Sequence, residues 1–456
     1  LFGRKKEKPV LSGSQHSNIV VGAGIKAGEH EIKPIVYEEK SRSGHFWCFG
    51  TTRVGKTRML ENMVEQDIRK GNSVVVLDPK GDIELFSKIV QVALEEQRHE
   101  DLMLVTPIYP EYSISFNPLQ YYYMPEELVG HIVSGVDVGK EKFFYNVAYE
   151  TSLMIVQSFL LFLKYTKGKK KEAFTLEEVK EVISHYDLQR LEQEIKNIDD
   201  PDAQKLAEDL KKVINSGQDY YNKVSSSLRV ALVELTSGNI GKVIGYANDN
   251  KIIERLESGK SIILVVHTGS LITRKASSTL GKVIISMFQS WIGRVFASGR
   301  KANPPLCIYA DEAQNVLYFG IEDLFAKAGG AGVWLHGFSQ SVNQLYAVLS
   351  QDVGKSILDN VNTKVFMRVT DKETAEYASG HFGTKTGYSP VFGVGGNLSI
   401  REVDDVWIRP EDIQELQPRK FYMMTYSGKY AGITLDVSPM YIYVKFPAIS
   451  ALNKTK

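Results

Sequence analysis

The chain has 456 residues, 43% hydrophobic and 24% charged, which excludes a disordered or low-complexity protein and leaves room for two domains or one domain with a large insertion. Its net charge is +1, so no overall basic field gathers nucleic acid, and any polynucleotide contact has to come from a local surface or from symmetry that repeats a small patch. The two cysteines, Cys48 and Cys307, lie in apolar stretches and read as buried thiols in a reducing compartment, with neither a disulfide nor a metal site supported.

The chain opens at Leu1, without Met, and runs into Arg4-Lys5-Lys6-Glu7-Lys8. This start suggests a native N-terminus that has been removed. A basic cluster there is expected just cytoplasmic of a membrane helix, and an ordinary solvated tail fits as well. No apolar run reaches spanning length; the longest, Val147 to Leu163, is broken by Glu150 and Gln157.

Residues 17–120 read as α/β. His45 to Phe49 forms a short buried strand. It leads into Gly50-Thr51-Thr52-Arg53-Val54-Gly55-Lys56-Thr57, which fits the phosphate-loop pattern G-x-x-x-x-G-K-[ST] without a mismatch. Met59, Leu60, Met63, Val64 and Ile68 then recur at helical spacing up to Gly71. In that strand–loop–helix context the loop N–H groups point at phosphates. Lys56 brings a cation to the β/γ-phosphates, and the Thr57 hydroxyl ligates Mg²⁺. ATP and Mg²⁺ are the expected cofactors. Strands follow at Ser73 to Asp78 and Asp101 to Thr106, with a helix over Ile83 to Glu96 between them, as in a parallel sheet.

From 121 to 245 the strand signals stop. Thr175 and Glu178 form a capping-box pair, Asp202 is placed to cap a helix carrying Leu206, Leu210 and Val213, and a third helix runs from Ser225 to Thr236 with Gly238 as its stop. Residues 121–240 hold 15 Lys and Arg against 19 Asp and Glu, a mildly acidic balance unlike that of a DNA-backbone grip. The run Lys164, Lys167, Lys169, Lys170 and Lys171 reads as a solvated loop around Gly168.

The α/β pattern resumes at 246, with strands at Ser261 to His267, Leu306 to Asp311, Gly332 to Phe338 and Lys364 to Val369. A helix runs between Ser277 and Val295. Residues 384–399, rich in Gly, Ser and Thr, read as a flexible loop, and Phe421 to Val437 as a hairpin turning at Ser427-Gly428. The expected organisation is a discontinuous nucleotide-binding motor, 1–120 and 246–456, with an all-α inserted domain at 121–245.

The strand Leu306 to Ala310 ends in Asp311-Glu312, a Walker B arrangement. Asp311 would hold Mg²⁺ and Glu312 would act as general base on the attacking water. Gln340, at the end of the next strand, is the candidate γ-phosphate sensor, or a turn residue. Arg368, at the end of a later strand, is a candidate arginine finger supplied across a subunit interface, or a surface ion-pair partner.

The phosphate loop with His45 upstream, the stretch Asp78-Pro79-Lys80-Gly81-Asp82, the segment Gly337 to Ser341 with Gln344-Leu345, and Thr363 to Ala378 together resemble the TraD/TraG/TrwB coupling ATPases of conjugation and type IV secretion. The loop itself most resembles the TraD class of integrating conjugative elements. The likeness spans the α/β portion; the helical insertion matches only in position and type. It implies a RecA-like P-loop motor with an inserted all-α domain, a homo-hexamer at the bacterial inner membrane behind an N-terminal anchor, and ATP-driven delivery of relaxase-bound single-stranded DNA or protein effectors to a secretion channel. Arg53-Val54, where this loop commonly has small residues, is a departure that bears on nucleotide affinity. A double-strand DNA pump of the FtsK or HerA kind and a nucleotide-switched docking receptor are the alternatives.

Overall fold

A computed structural model describes residues 17–136, 142–165, 173–392 and 398–448. The basic stretch Arg4 to Lys8 and residues 166–172 of the lysine run lie outside them. In chain order the strands are β1 (Ile19–Lys26), β2 (Lys33–Tyr37), β3 (Phe46–Phe49), β4 (Ser73–Asp78), β5 (Leu102–Val105), β6 (Ile263–His267), β7 (Leu306–Ala310), β8 (Val333–Ser339), β9 (Thr363–Phe366), β10 (Thr384–Phe392), β11 (Leu398–Val406), β12 (Lys420–Thr425) and β13 (Gly428–Thr434). Eleven of them form one sheet in the order β2-β1-β13-β12-β9-β3-β8-β7-β4-β6-β5. The part from β9 to β5 is parallel, and β12, β13, β1 and β2 extend it as an antiparallel edge.

The central strands are apolar on both faces because both faces are covered. In β3, Trp47 and Phe49 enter one core while Phe46 and Cys48 enter the other. The helices Lys56–Arg69 and Ile83–Glu95 close the second core with Met59, Leu60, Met63, Leu85 and Ile89. On the opposite face the long helix Arg274–Ala297 packs with Leu280, Ile284, Phe288 and Trp291 buried. Both cysteines are free and buried; burial pushes the Cys48 thiol up to about 12.

One polar cluster is sealed inside the sheet layer. Arg42 is fully buried and forks onto Asp67 at 2.7 and 2.6 Å. Tyr309 also donates to Asp67, and the Arg42 guanidinium lies over the Trp334 ring at 4.4 Å. A planar, always-charged fork suits such a site, where a lone charge would be costly.

Between β5 and β6 every element among the described residues is helical. Helix Pro125–Ser134 packs on Arg274–Ala297, with His131 Nδ1 3.0 Å from Ser286 Oγ and Arg294 paired to Glu127. The apolar core of the helices is therefore continuous with that of one sheet face. The chain leaves and re-enters the sheet at one place: Phe116 N donates to the Val243 carbonyl at 2.9 Å and Asn117 N to the Asp249 carbonyl at 2.7 Å.

Four local expectations are corrected. Residues 384–392 and 398–406 pair as an antiparallel ribbon, Thr384 opposite Val406, so the described part of 384–399 is strand rather than flexible loop; residues 393–397 lie outside the described residues. Asp200, not Asp202, caps the helix Pro201–Asn215. Its extended backbone precedes a proline at the first helical position, and its side chain accepts from Asp202 N. Gly238 does not stop the helix Ser226–Thr236; Ser237 in extended backbone ends it, and a further turn runs Gly238–Ile240. Finally, Phe143–Tyr165 is long and apolar enough to cross a membrane by length and composition, with mean hydropathy 1.3. A third of that apolar window is buried, with Ala148, Ile155 and Val156 packed against neighbouring helices. The Thr175–Glu178 capping box forms as expected.

Candidate functional site

Residues 50–55 join the C-terminal end of β3 to the helix Lys56–Arg69. Both neighbouring strands hold the start of this loop. Gly50 N donates to the Ser339 carbonyl at 3.2 Å, and Thr51 N to the Arg368 carbonyl at 2.8 Å. A Cβ on Gly50 would meet Met367 and Val54 at 2.9 Å, so only glycine fits between them. Gly55, at φ 112°, takes a backbone that a side chain would strain. No side chain caps the helix that starts at Lys56, which leaves its first N–H groups for an anion.

Arg53-Val54 divides its roles between solvent and core. Val54 is buried in the apolar layer and Arg53 points outward at φ 62°. Lys56 is 6% exposed and donates to the carbonyls of Gly50 at 2.5 Å and Thr51 at 3.0 Å. Burial pulls its ammonium below the usual range, with Glu312 and Asp311 pulling the other way.

The sheet order sets β8 between β3 and β7, so the acids at the end of β7 face the loop across one strand. Ligands of open parallel sheets bind in this crevice, outside the strand C-termini. Asp311 and Glu312 are both nearly buried, and Glu312 is held in the left-handed region at φ 45°. Its carboxylate accepts from Lys80 at 2.8 Å, from Gln314 at 2.8 Å, and from Gln340 at 3.2 and 3.5 Å. Burial disfavours the Glu312 charge, but hydrogen bonds from Lys80, Gln314 and Gln340 carry its pKa below the usual carboxylate value. Asp311 goes the other way: burial raises it, against the pull of Lys80.

Asp78, at the end of β4, is 1% exposed and accepts from the backbone N–H of Lys80 at 3.0 Å and from that of Asp82. His267 Nε2 stands 3.6 Å from it, but burial lowers this histidine to about 4, so the pair is not ionic at neutral pH. His45 lies before β3, at the end of that strand away from the loop. Leu335 N donates to its Nδ1 at 3.2 Å, which leaves Nε2 to donate to the Phe325 carbonyl at 3.0 Å. Burial holds His45 neutral, at about 4.

The fold thus brings the loop Gly50, Thr51, Thr52, Arg53, Val54, Gly55, Lys56 and Thr57 together with Asp311, Glu312 and Gln340. Arg368 joins them at the rim: its backbone is bonded to the loop of its own chain while its side chain is exposed. Three residues escaped the sequence reading as members of the site. Gln314 gave no signal beyond lying two positions after Glu312. Lys80 lay in the noted stretch Asp78 to Asp82 without a role. Arg419, whose N–H donates to the Val54 carbonyl at 2.7 Å, gave no signal at all.

The donor set suits a small hard cation. Thr57 offers a hydroxyl and Asp311 a carboxylate, both hard oxygen donors, and the Lys80 ammonium already places a positive charge 3.4 Å from Asp311. Among the described residues no group of three or more His, Cys, Asp or Glu is arranged to hold a metal. Mg²⁺ carried on nucleotide phosphates needs only one or two protein oxygens, so Thr57 and Asp311 fit it.

Residues 305–397 match the family model described as the TraM recognition site of TraD and TraG. No curated protein sequence matches the chain. Among solved structures the fold is shared with the unbound conjugative coupling protein TrwB lacking its N-terminal 70 residues: 16% identity, 93% of this chain, 92% of that one, TM-score 0.67. TrwB in complex with ADP and Mg²⁺ matches at 16% identity over 95% of this chain and 98% of that one, TM-score 0.63. VirB4 of Thermoanaerobacter pseudethanolicus matches at 13% identity over 93% of this chain and 97% of that one, TM-score 0.56. The motif-level resemblance to the TraD/TraG/TrwB proteins thus extends to a family segment and to the fold.

Proposed function

We propose that this chain, which carries a TraD/TraG segment on a TrwB-like RecA fold, is an ATP-hydrolysing coupling protein. It recruits relaxase-bound single-stranded DNA, or protein effectors, and delivers them to a type IV secretion channel. The observation that carries this reading is the meeting of a complete phosphate loop with Asp311, Glu312 and Gln340 at the C-terminal ends of adjacent parallel strands.

The roles follow from the chemistry in reach. The N–H groups of residues 50–57 and the Lys56 ammonium bind and orient the phosphates of ATP. Magnesium, when bound, neutralises phosphate charge; Thr57 and Asp311 are the residues that would hold it. Glu312, kept ionised by its donors, takes the proton of the attacking water on a carboxylate oxygen. Gln340, bonded to Glu312, ties that base to the strand beside the loop. Arg368 is an arginine finger supplied to a neighbouring subunit of a homo-hexamer. The ring lies at the cytoplasmic face of the bacterial inner membrane, held by an N-terminal anchor.

We divide the chain into a motor, 1–120 and 246–456, and an all-α inserted domain, 121–245. The bonds from Phe116 and Asn117 to Val243 and Asp249 support this division, since they bring the two crossings together. The acidic balance of 121–240 favours protein partners for the inserted domain over DNA backbone.

ATP turnover measured without DNA, with single-stranded DNA and with duplex, alongside a Lys56→Ala control, tests the reading. The expected outcome is stimulation by single strands, no turnover in the control, and co-purification with a relaxase. Stimulation by duplex alone moves the protein to the FtsK/HerA kind of pump. Partner capture with bound but unhydrolysed ATP makes it a switched receptor. Absence of nucleotide binding removes the site assignment.

A further inference from the structure

Both oxygens of the Glu312 carboxylate are engaged. Lys80 Nζ lies 2.8 Å from Oε1, with Gln340 Nε2 at 3.2 Å from the same oxygen, and Gln314 Nε2 lies 2.8 Å from Oε2. A general base needs a carboxylate lobe turned to its water, and here donors from three elements occupy those lobes. Gln314 and Gln340 are neutral and partly buried. Lys80 differs in two respects: it is charged, and its side chain is 46% exposed at the crevice. Its ammonium also stands 3.4 Å from Asp311, so one cation spans both acids.

The backbone that carries Lys80 is fixed. Buried Asp78 accepts from the N–H groups of Lys80 and Asp82, and Gly81 turns the chain at φ 75°. The Lys80 head can therefore leave by side-chain rotation alone, with no loop rearrangement. An ammonium on a four-carbon stem suits exchange between anionic partners, because its three donors have no fixed fork.

We propose that Lys80 is a phosphate-displaced clamp: it holds Glu312 away from water until a phosphate oxygen draws its ammonium off the carboxylate. That oxygen belongs either to the γ-phosphate of bound ATP or to the phosphodiester backbone of DNA. Lys80 acts through Glu312 and is a positioning residue. The inference rests on the motor reading above.

The test uses the whole chain with Lys80→Met, which keeps length and removes charge, and Lys80→Arg, which keeps charge. A half-exposed side chain leaves the core intact, and thermal melting checks that both variants fold. Two quantities are read: turnover with and without single-stranded DNA, and the ratio of affinities for fluorescent ATP and ADP analogues. If the backbone of DNA releases the clamp, Lys80→Met raises DNA-free turnover about tenfold, the worth of one charge-assisted hydrogen bond, and DNA no longer stimulates. If the γ-phosphate releases it, Lys80→Met lowers the ATP-to-ADP affinity ratio about tenfold and DNA stimulation persists. Lys80→Arg keeps the charge but not the freely turning ammonium, so both quantities stay nearer wild type than in Lys80→Met in either case. The proposal is overturned if Lys80→Met leaves DNA-free turnover, stimulation and affinity ratio unchanged, or if turnover falls while stimulation and ratio stay as they were. Wild-type protein without ATP turnover sinks the motor reading instead, and the affinity ratio then still reports on the clamp.

Discussion

Gln340 and Glu312 are joined across two strands: the amide at the end of β8 donates to the carboxylate beyond β7 at 3.2 Å. The bond turns a strand-end glutamine into a fixed neighbour of the base. Gln340→Ala removes a donor to a charged acceptor, worth about 1.5–3 kcal/mol, so kcat is expected to fall by roughly 10- to 100-fold while nucleotide affinity holds. Gln340→Glu places a second carboxylate beside the first and should lower kcat further. Steady-state kinetics of both variants checks this; equal loss of kcat and affinity would make Gln340 a folding residue.

Glu312→Gln keeps the side-chain shape, at the left-handed φ of 45°, and removes the proton acceptor. Turnover is expected to drop by about 10²–10⁴-fold, the usual worth of general-base catalysis, with ATP still bound. Equilibrium binding of a fluorescent ATP analogue separates the outcomes. Failure to bind would show that Glu312 organises the loop and that the base lies elsewhere.

Arg368 presents an exposed side chain from a backbone bonded to its own phosphate loop. If that side chain serves a neighbour, Arg368→Ala loses most turnover, since an arginine finger supplies about 10³–10⁵ in rate. Mixing Arg368→Ala with Lys56→Ala subunits then restores part of it, because some interfaces pair an intact loop with an intact finger. No recovery in a mixture shown to co-assemble places Arg368 in service of its own subunit.

The Arg42–Asp67 pair is sealed from solvent, both side chains at 0% exposure. Burial opposes the Asp67 charge, yet Arg42 and Tyr309 hold its pKa down at about 2. A carboxylate depressed below its unfolded value stabilises the fold at pH above that unfolded value, near 4, and the contribution disappears as pH falls through 4 toward 2. Asp67→Asn leaves Arg42 charged without its partner and is expected to cost about 3–5 kcal/mol. Denaturant melts from pH 7 to pH 3 check both statements. The wild type should lose stability toward acid, and the variant should lose less over the same range. An unchanged difference between the two across that range would falsify the assignment.

The phosphate loop was legible because it is one contiguous piece whose function lies in backbone N–H groups and one adjacent cation. Gly50, Gly55, Lys56 and Thr57 state it without tertiary help. Asp311 and Glu312 were legible for a related reason, since an apolar strand ending in two acids announces where it stops. The buried strands β3, β4 and β7 showed themselves as short apolar runs, and the helix over Lys56–Arg69 by its period. Strand β10 did not, because Thr384 to Pro390 mixes Gly, Ser, Thr and Pro with no apolar alternation to mark a strand.

Other features depended on the order of strands, which no local pattern encodes. Lys80 reaches Asp311 across 231 residues because β4 lies beside β7, and Gln340 reaches Glu312 because β8 follows next. Arg419 braces Val54 only because β12 adds antiparallel to β9 at the edge of the loop. The sequence by itself determined which residues can bind phosphate and take a proton, since those capacities belong to residue types and short spacings. The tertiary structure alone decided which charge stands against Glu312, because that contact exists only once long-range parallel pairing has set β7 between β8 and β4.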